Sequence, residues 1–136
     1  MTKYYLDTSI WLDYYENRTD RFRPLGEWAL ALLSQIRIRS DKILVSDAVL
    51  KELEIRYDST KIREILAPFN NWIELIFTSE NQYNESKLIA RNRSLPKADA
   101  LHAILSRDRS SILVSRDHHF EMLQDITKAR KPEELI

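Results

Sequence analysis

Short apolar runs alternate along this chain with longer stretches in which apolar residues recur every three or four positions. "KYYL", ending at Leu6, reads as a buried strand. After it, "SIWLDYYE" carries Ile10, Tyr14 and Trp11 along one helical face. In "RPLGEWALALLSQIRIR" the residues Leu25, Trp28, Leu32 and Ile36 keep helical spacing, and Pro24 suits a first-turn position. "KILVS" (Lys42 to Ser46) predicts a second strand, and "DAVLKELEIRY" returns to helix. "STKIREILAPF" predicts a helix that Pro68 ends or bends, and "NWIELI" a third strand. Ser79, with Gln82 three residues on, forms a capping-box pattern at the head of the helix "SENQYNESKLIARNR". Pro96 stands at the start of "KADALHAILSRD", where Ala98, Leu101, Ile104 and Leu105 make an apolar stripe. "SILVS" (Ser111 to Ser115) predicts a fourth strand. "HHFEMLQ" reads as a short helix, and "DITKARKPEELI" as a short edge strand with a tail.

Strands alternating with helical segments predict an α/β class with a mainly parallel sheet. The 136 residues suffice for one hydrophobic core, and no repeat or linker divides them, so one domain over residues 1–136 is expected. No run approaches the ~20 apolar residues of a membrane span. Asp7, Asp13 and Glu16 break up any signal-peptide core, so a cytoplasmic location is expected.

Charge changes the picture little: 21 basic and 21 acidic residues balance, leaving only local patches to attract a polyanion. Two other counts exclude more. With no cysteine there are no disulfides, thiolate zinc sites or thiol nucleophiles. With one glycine, Gly26, phosphate-cradling loops of the Walker or dinucleotide type are excluded, since they need several.

Chemistry therefore rests on acids. Asp7 ends the first strand, and Asp117 lies two residues past "SILVS", so separate strands deliver both to the sheet edge where α/β proteins bind ligands. Glu52 follows Ser46 by six residues in the helix leaving that edge. Asp99 lies in the first turn after Pro96. Each has a plainer reading: Asp7 as a helix cap, Asp99 as a first-turn acid, Glu52 as one solvated charge beside Lys51 and Glu54, and Asp117 as a turn residue. Together, however, four carboxylates raise one another's pKa and call for a hard divalent cation. Such a site suits phosphoryl chemistry.

The ordered set "LDTS" (Asp7), "SDAVLKEL" (Glu52), "PKADALHA" (Asp99) and "LVSRDHHF" (Asp117) resembles the PIN-domain ribonucleases, and among them the VapC-type toxins of prokaryotic toxin–antitoxin pairs. The resemblance spans nearly the whole chain. It implies an α/β/α sandwich around a parallel sheet, and RNA cleavage with Mg²⁺ or, in its place, Mn²⁺. It further implies that Asp7, Glu52, Asp99 and Asp117 hold the metal, with Ser9 and Ser115 orienting carboxylates. A homodimer and a small inhibitory antitoxin are the expected partners. "SLPKADALHA" lacks the glycines that many bacterial members carry there, which bears on the subfamily.

Other candidates are weighed against simpler roles. His102, one turn from Asp99, reads mainly as a histidine with no ligand role, and His118 and His119 as loop polarity. Tyr14, Tyr15, Trp11 and Trp28 serve core packing as readily as a dimer surface. Lys97, Arg91, Arg93 and Arg116 can reach RNA phosphates, though charged helix faces are usually just solvated. Two rival functions remain. A phosphatase with Asp7 as nucleophile needs an Asp two residues on, where this chain has Ser9. A non-catalytic PIN-like scaffold binding RNA or protein is the other, and the presence of all four acids speaks against it.

Overall fold

A computed structural model describes all 136 residues. Its centre is a five-stranded, wholly parallel sheet: β1 (Lys3–Leu6), β2 (Lys42–Ser46), β3 (Ile73–Ile76), β4 (Ile112–Val114) and β5 (Ala129–Arg130), in spatial order β3-β2-β1-β4-β5. In register, Tyr5 faces Leu44 on one side and Leu113 on the other. The central strands are buried on both faces, and for that reason they read as unbroken apolar runs.

Helices α1 (Thr8–Glu16), α2 (Leu25–Arg39), α3 (Asp47–Glu54) and α4 (Ser59–Leu66) lie in the connections that carry the chain from β1 through β2 to β3. Helices α5 (Glu80–Arg93) and α6 (Lys97–Asp108) bring it back from β3 to β4. Right-handed crossovers in opposite directions place these two groups on opposite faces, which gives the three-layer α/β/α sandwich expected. The core runs through both faces and includes Tyr5, Trp11, Leu33, Leu44, Phe69 and Leu113.

Local chemistry explains the helix ends. Ser79 Oγ accepts from the Gln82 amide at 3.1 Å while Gln82 Oε1 accepts from the Ser79 amide at 2.9 Å, so the capping box forms. Gly26 is needed for contact: a Cβ there would sit 2.5 Å from Asn17 Cα, where α2 crosses the end of α1.

Some boundaries depart from the sequence reading. Pro24 and Pro96 occupy the cap positions of α2 and α6, just ahead of the first helical turn. Beyond α4 a 3₁₀ stretch, Ala67–Trp72, takes in Pro68 and delays β3 to Ile73, because proline's missing amide suits a tightened turn. "HHFEML" is also 3₁₀, and "DITKARKPEELI" holds a two-residue strand followed by a 3₁₀ turn. Trp11 is fully buried against Phe69, at 6.2 Å between ring centroids, and is unavailable to any dimer surface.

Candidate functional site

With β1 central and the chain turning back past it to β4, the sheet has its topological switch point beside β1, and the carboxyl ends of β1 and β4 open onto the crevice there. Asp7 lies at that point and is nearly inaccessible. It caps α1: Oδ1 accepts from the Ile10 amide at 3.2 Å and from Ser9 Oγ at 2.6 Å, while Oδ2 accepts from Ser115 Oγ. The capping role and a place in the cleft are therefore compatible. Burial pushes the Asp7 carboxyl up, against the lowering pull of the Ser115 and Ser9 hydroxyls.

Ser115 joins Asp7 to Asp117, because its Oγ also accepts the Asp117 amide at 3.0 Å. Asp117 caps the following 3₁₀ turn, and this brings His119 back over the acids. His119 Nδ1 lies 2.8 Å from Asp117 Oδ1 and 3.0 Å from Asp99 Oδ2. That nitrogen is buried, yet neither contact has hydrogen-bonding geometry. Asp99 reaches the cluster from the first turn of α6. Burial first, and the Asp117 charge second, push its carboxyl up to about 6, with His119 and His102 opposing.

Glu52 joins the cluster by another route. Its carboxylate accepts from His102 Nε2, and His102 is buried on α6. His102 Nδ1 lies 2.7 Å from Tyr5 Oη, which lies 2.6 Å from Ser46 Oγ. Ser46 Oγ in turn accepts the Val49 amide at 3.1 Å as the cap of α3. With a neutral imidazole every direction follows: Nε2–H donates to Glu52, the Tyr5 hydroxyl donates to Nδ1, and Ser46 donates to Tyr5. Three elements thus fix one side chain through fully buried polar atoms.

The structure thus brings Asp7, Asp99 and Asp117 together at one edge and ties Glu52 to them through His102. Ser9 and Ser115 both bond to Asp7. His102, expected to have no ligand role, holds Glu52; His119 lies between Asp99 and Asp117, and His118 stays exposed beside Asp117. Ligating atoms of Asp117, His118 and His119 lie within 4.8 Å of one another. The "DHH" run was visible in the sequence, but only the 3₁₀ turn brings it over the acids.

Two of the basic candidates are already engaged. Arg116 is mostly buried, holds Glu133 through two hydrogen bonds of 2.9 and 2.6 Å, and covers the Trp28 ring. Arg93 forms a bidentate pair with Asp125 at 2.7 and 2.8 Å. Arg116 is enclosed, whereas the Arg93 pair lies at the surface.

Comparison with known proteins bears on the fold and the family. Among solved structures, VapBC2 from Rickettsia felis, bound to a DNA fragment from its promoter, aligns with TM-score 0.70 at 18% identity, over 96% of this chain and 98% of that one. VapBC-1 from nontypeable Haemophilus influenzae aligns at 0.66 and 16%, over 97% and 99%. FitAcB from Neisseria gonorrhoeae aligns at 0.64 and 17%, also over 97% and 99%. No curated protein matches. At these identities the likeness is one of fold. The PIN domain family model matches residues 4–125, nearly the whole chain, with Asp7, Glu52, Asp99 and Asp117 all inside the match. The chain belongs to the PIN domain family.

Proposed function

We propose that this protein is a divalent-metal-dependent ribonuclease, the toxin of a VapBC-type pair. The observation that carries the reading is an electrostatic one. Elsewhere arginines neutralise the acids, as at Asp13, Glu85, Asp125 and Glu133. At the carboxyl edge of β1 and β4, Asp7, Asp99, Asp117 and Glu52 form no arginine or lysine ion pair and meet histidines, hydroxyls and backbone amides instead. Gathered acids without an arginine or lysine suit a cation from solution, and their oxygen donors suit Mg²⁺ or Mn²⁺. The unbonded His119 nitrogen between two of them fits the same purpose.

Asp7, Glu52, Asp99 and Asp117 would hold the ion. When bound it supplies Lewis acidity toward the phosphodiester and acidifies water. The chain's own groups prepare the site. Ser9, Ser115 and the Ile10 amide fix both oxygens of Asp7 and favour its ionised form. His102 aims Glu52 and is itself aimed by Tyr5. The raised carboxyls of Asp7 and Asp99 are the more basic ligands, and a cation replaces the protons they would otherwise retain.

The structural neighbours are toxin–antitoxin complexes, which supports a small antitoxin as partner. A homodimer and a cytoplasmic location belong to the same proposal, and no helix is long and apolar enough to cross a membrane. The test is cleavage of a labelled RNA by metal-stripped protein, before and after Mg²⁺ or Mn²⁺ is restored. Cleavage is expected only with metal. Undiminished cleavage by stripped protein overturns the proposal.

A further inference from the structure

Glu52 also forms one wall of a second cleft, of about 310 Å³, on the side of α3 that faces α5 and the start of α6. Asp47, Lys51, Thr78, Tyr83, Lys97 and Leu101 are among the other residues that line it. Lys97 Nζ donates to Tyr83 Oη at 2.8 Å and stands 4.5 Å from the centre of the ring. Lys87 Nζ approaches the same ring to 5.0 Å. The positive field of Lys97, Lys87 and Lys51 pulls the exposed Tyr83 phenol below its ordinary pKa, the Lys97 hydrogen bond being the largest cause. Two ammonium groups thus flank one phenol, and Lys51 shares the cleft with it.

None of the three has an acid of its own. Lys61 with Glu64 is the one lysine ion pair in the chain. Besides Glu52, the carboxylate in the cleft is Asp47, and it is already satisfied. Its Oδ1 accepts from the Ala48 amide at 3.0 Å, the Thr78 amide at 3.1 Å and the Thr78 hydroxyl at 2.7 Å. In a chain of zero net charge, where most arginines are paired, unpaired cations collected beside a cluster of acids call for an anion from outside.

We propose that this cleft is a phosphate subsite for the substrate strand, in which Lys51 and Lys97 hold the phosphate of a nucleotide flanking the scissile bond. Tyr83 and Lys87 support it, the phenol fixing Lys97 and Lys87 adding to the field. Because Glu52 lines this cleft and also belongs to the acidic site, a strand occupying both passes from a cationic to an anionic, metal-requiring compartment. Basic groups and an exposed aromatic ring are the usual means of holding single-stranded nucleic acid without reading its sequence. This inference rests on the ribonuclease reading, and it selects a single-stranded polyanion as ligand.

The test separates the two. The double variant Lys51→Gln/Lys97→Gln is compared with wild type in cleavage of one labelled single-stranded RNA at saturating Mg²⁺, across a salt series. In parallel, fluorescence anisotropy measures binding of the same RNA in EDTA, where no turnover is needed. The variant is expected to raise KM and Kd at least about tenfold with kcat within twofold. The slope of log(kcat/KM) against log salt should become shallower by about 0.7, the value for one phosphate contact to a single strand. Lys97→Arg should restore most of the affinity, and Lys61→Gln on α4 should match wild type. If wild type cleaves but the double variant equals it in KM, Kd and salt slope, or loses only kcat, the subsite is overturned while the nuclease stands. If wild type binds the RNA through these lysines but never cleaves, the nuclease reading falls instead. If it neither binds nor cleaves, both fall.

Discussion

Replacing Asp99 with Asn should make the metal-free protein more stable while abolishing cleavage. Asp99 is mostly buried, and its carboxyl is raised from 3.8 to about 6, by burial first and by Asp117 second. The sign follows from linkage. A carboxyl with a raised folded-state pKa binds its proton more tightly folded than unfolded, so its contribution to stability is fully present below about pH 4. It is lost as pH rises through about 6. At about 1.4 kcal/mol per decade, keeping Asp99 ionised at neutral pH costs about 3 kcal/mol. Asp117 and His119 pack against the same carboxyl and rearrange when it changes, so about half, ~1.5 kcal/mol, should return in Asp99→Asn. For a chain of this length that corresponds to a rise of about 5 °C in Tm at pH 7.5. The assay is thermal or urea unfolding of both proteins in EDTA at pH 4 and pH 7.5, repeated with Mg²⁺. The variant should lead at pH 7.5, the gap should close near pH 4, and Mg²⁺ should raise wild type more than the variant. A variant less stable at pH 7.5, or a gap independent of pH, would refute the reasoning and leave Asp99 a first-turn acid that serves its helix.

Two further substitutions test how the cluster is held. Glu52→Gln should slow single-turnover cleavage at least about tenfold, about 1.4 kcal/mol in barrier, because its carboxylate is the one His102 grips. Glu54, exposed two positions on, should tolerate Gln at near wild-type rate, and equal rates for the pair would place Glu52 outside the site. Tyr5→Phe keeps the buried ring but removes the hydroxyl between Ser46 and His102. It should cost about 1–3 kcal/mol of stability and raise the Mg²⁺ needed for half-maximal rate roughly tenfold, with kcat at saturating Mg²⁺ largely kept. An unchanged Mg²⁺ requirement would show that the hydroxyl serves packing alone.

Much of this architecture was legible in local pattern. "KYYL", "KILVS" and "SILVS" are apolar because both sheet faces are covered, and a parallel sheet follows from the helices between them. Asp7 and Asp117 could be placed because a residue just past a strand end must lie at the sheet edge. The Tyr5–His102 pair was beyond reach for a physical reason: its partners are 97 residues apart, and a tyrosine inside an apolar run looks like any core residue. Arg116 illustrates the reverse case. Beside Asp117 it resembled a phosphate contact, but Glu133 and Trp28, distant in sequence, enclose it. The 3₁₀ turn at "HHFEML" was missed because five or six residues carry too little periodicity to distinguish it from an α-helix. That turn is what carries His119 onto the acids.

The strand order has a consequence for how such a protein is made. β1 is first in the chain and central in the sheet, but its β4 flank stays open until residues 112–114 arrive, more than a hundred positions later. The Ser115 hydroxyl that clasps Asp7 is 108 residues away in sequence. A ribosome-bound chain can pair β1, β2 and β3 and enclose most of the apolar core on that side while the acidic crevice still lacks Asp117 and both seryl and histidyl contacts from beyond β4. The pocket is therefore among the last parts to assemble, and the contacts that complete it are those with the greatest loop-closure cost. A chain interrupted before β4 would carry Asp7, Glu52 and Asp99 without the Ser115, Asp117 and His119 contacts that complete the cluster.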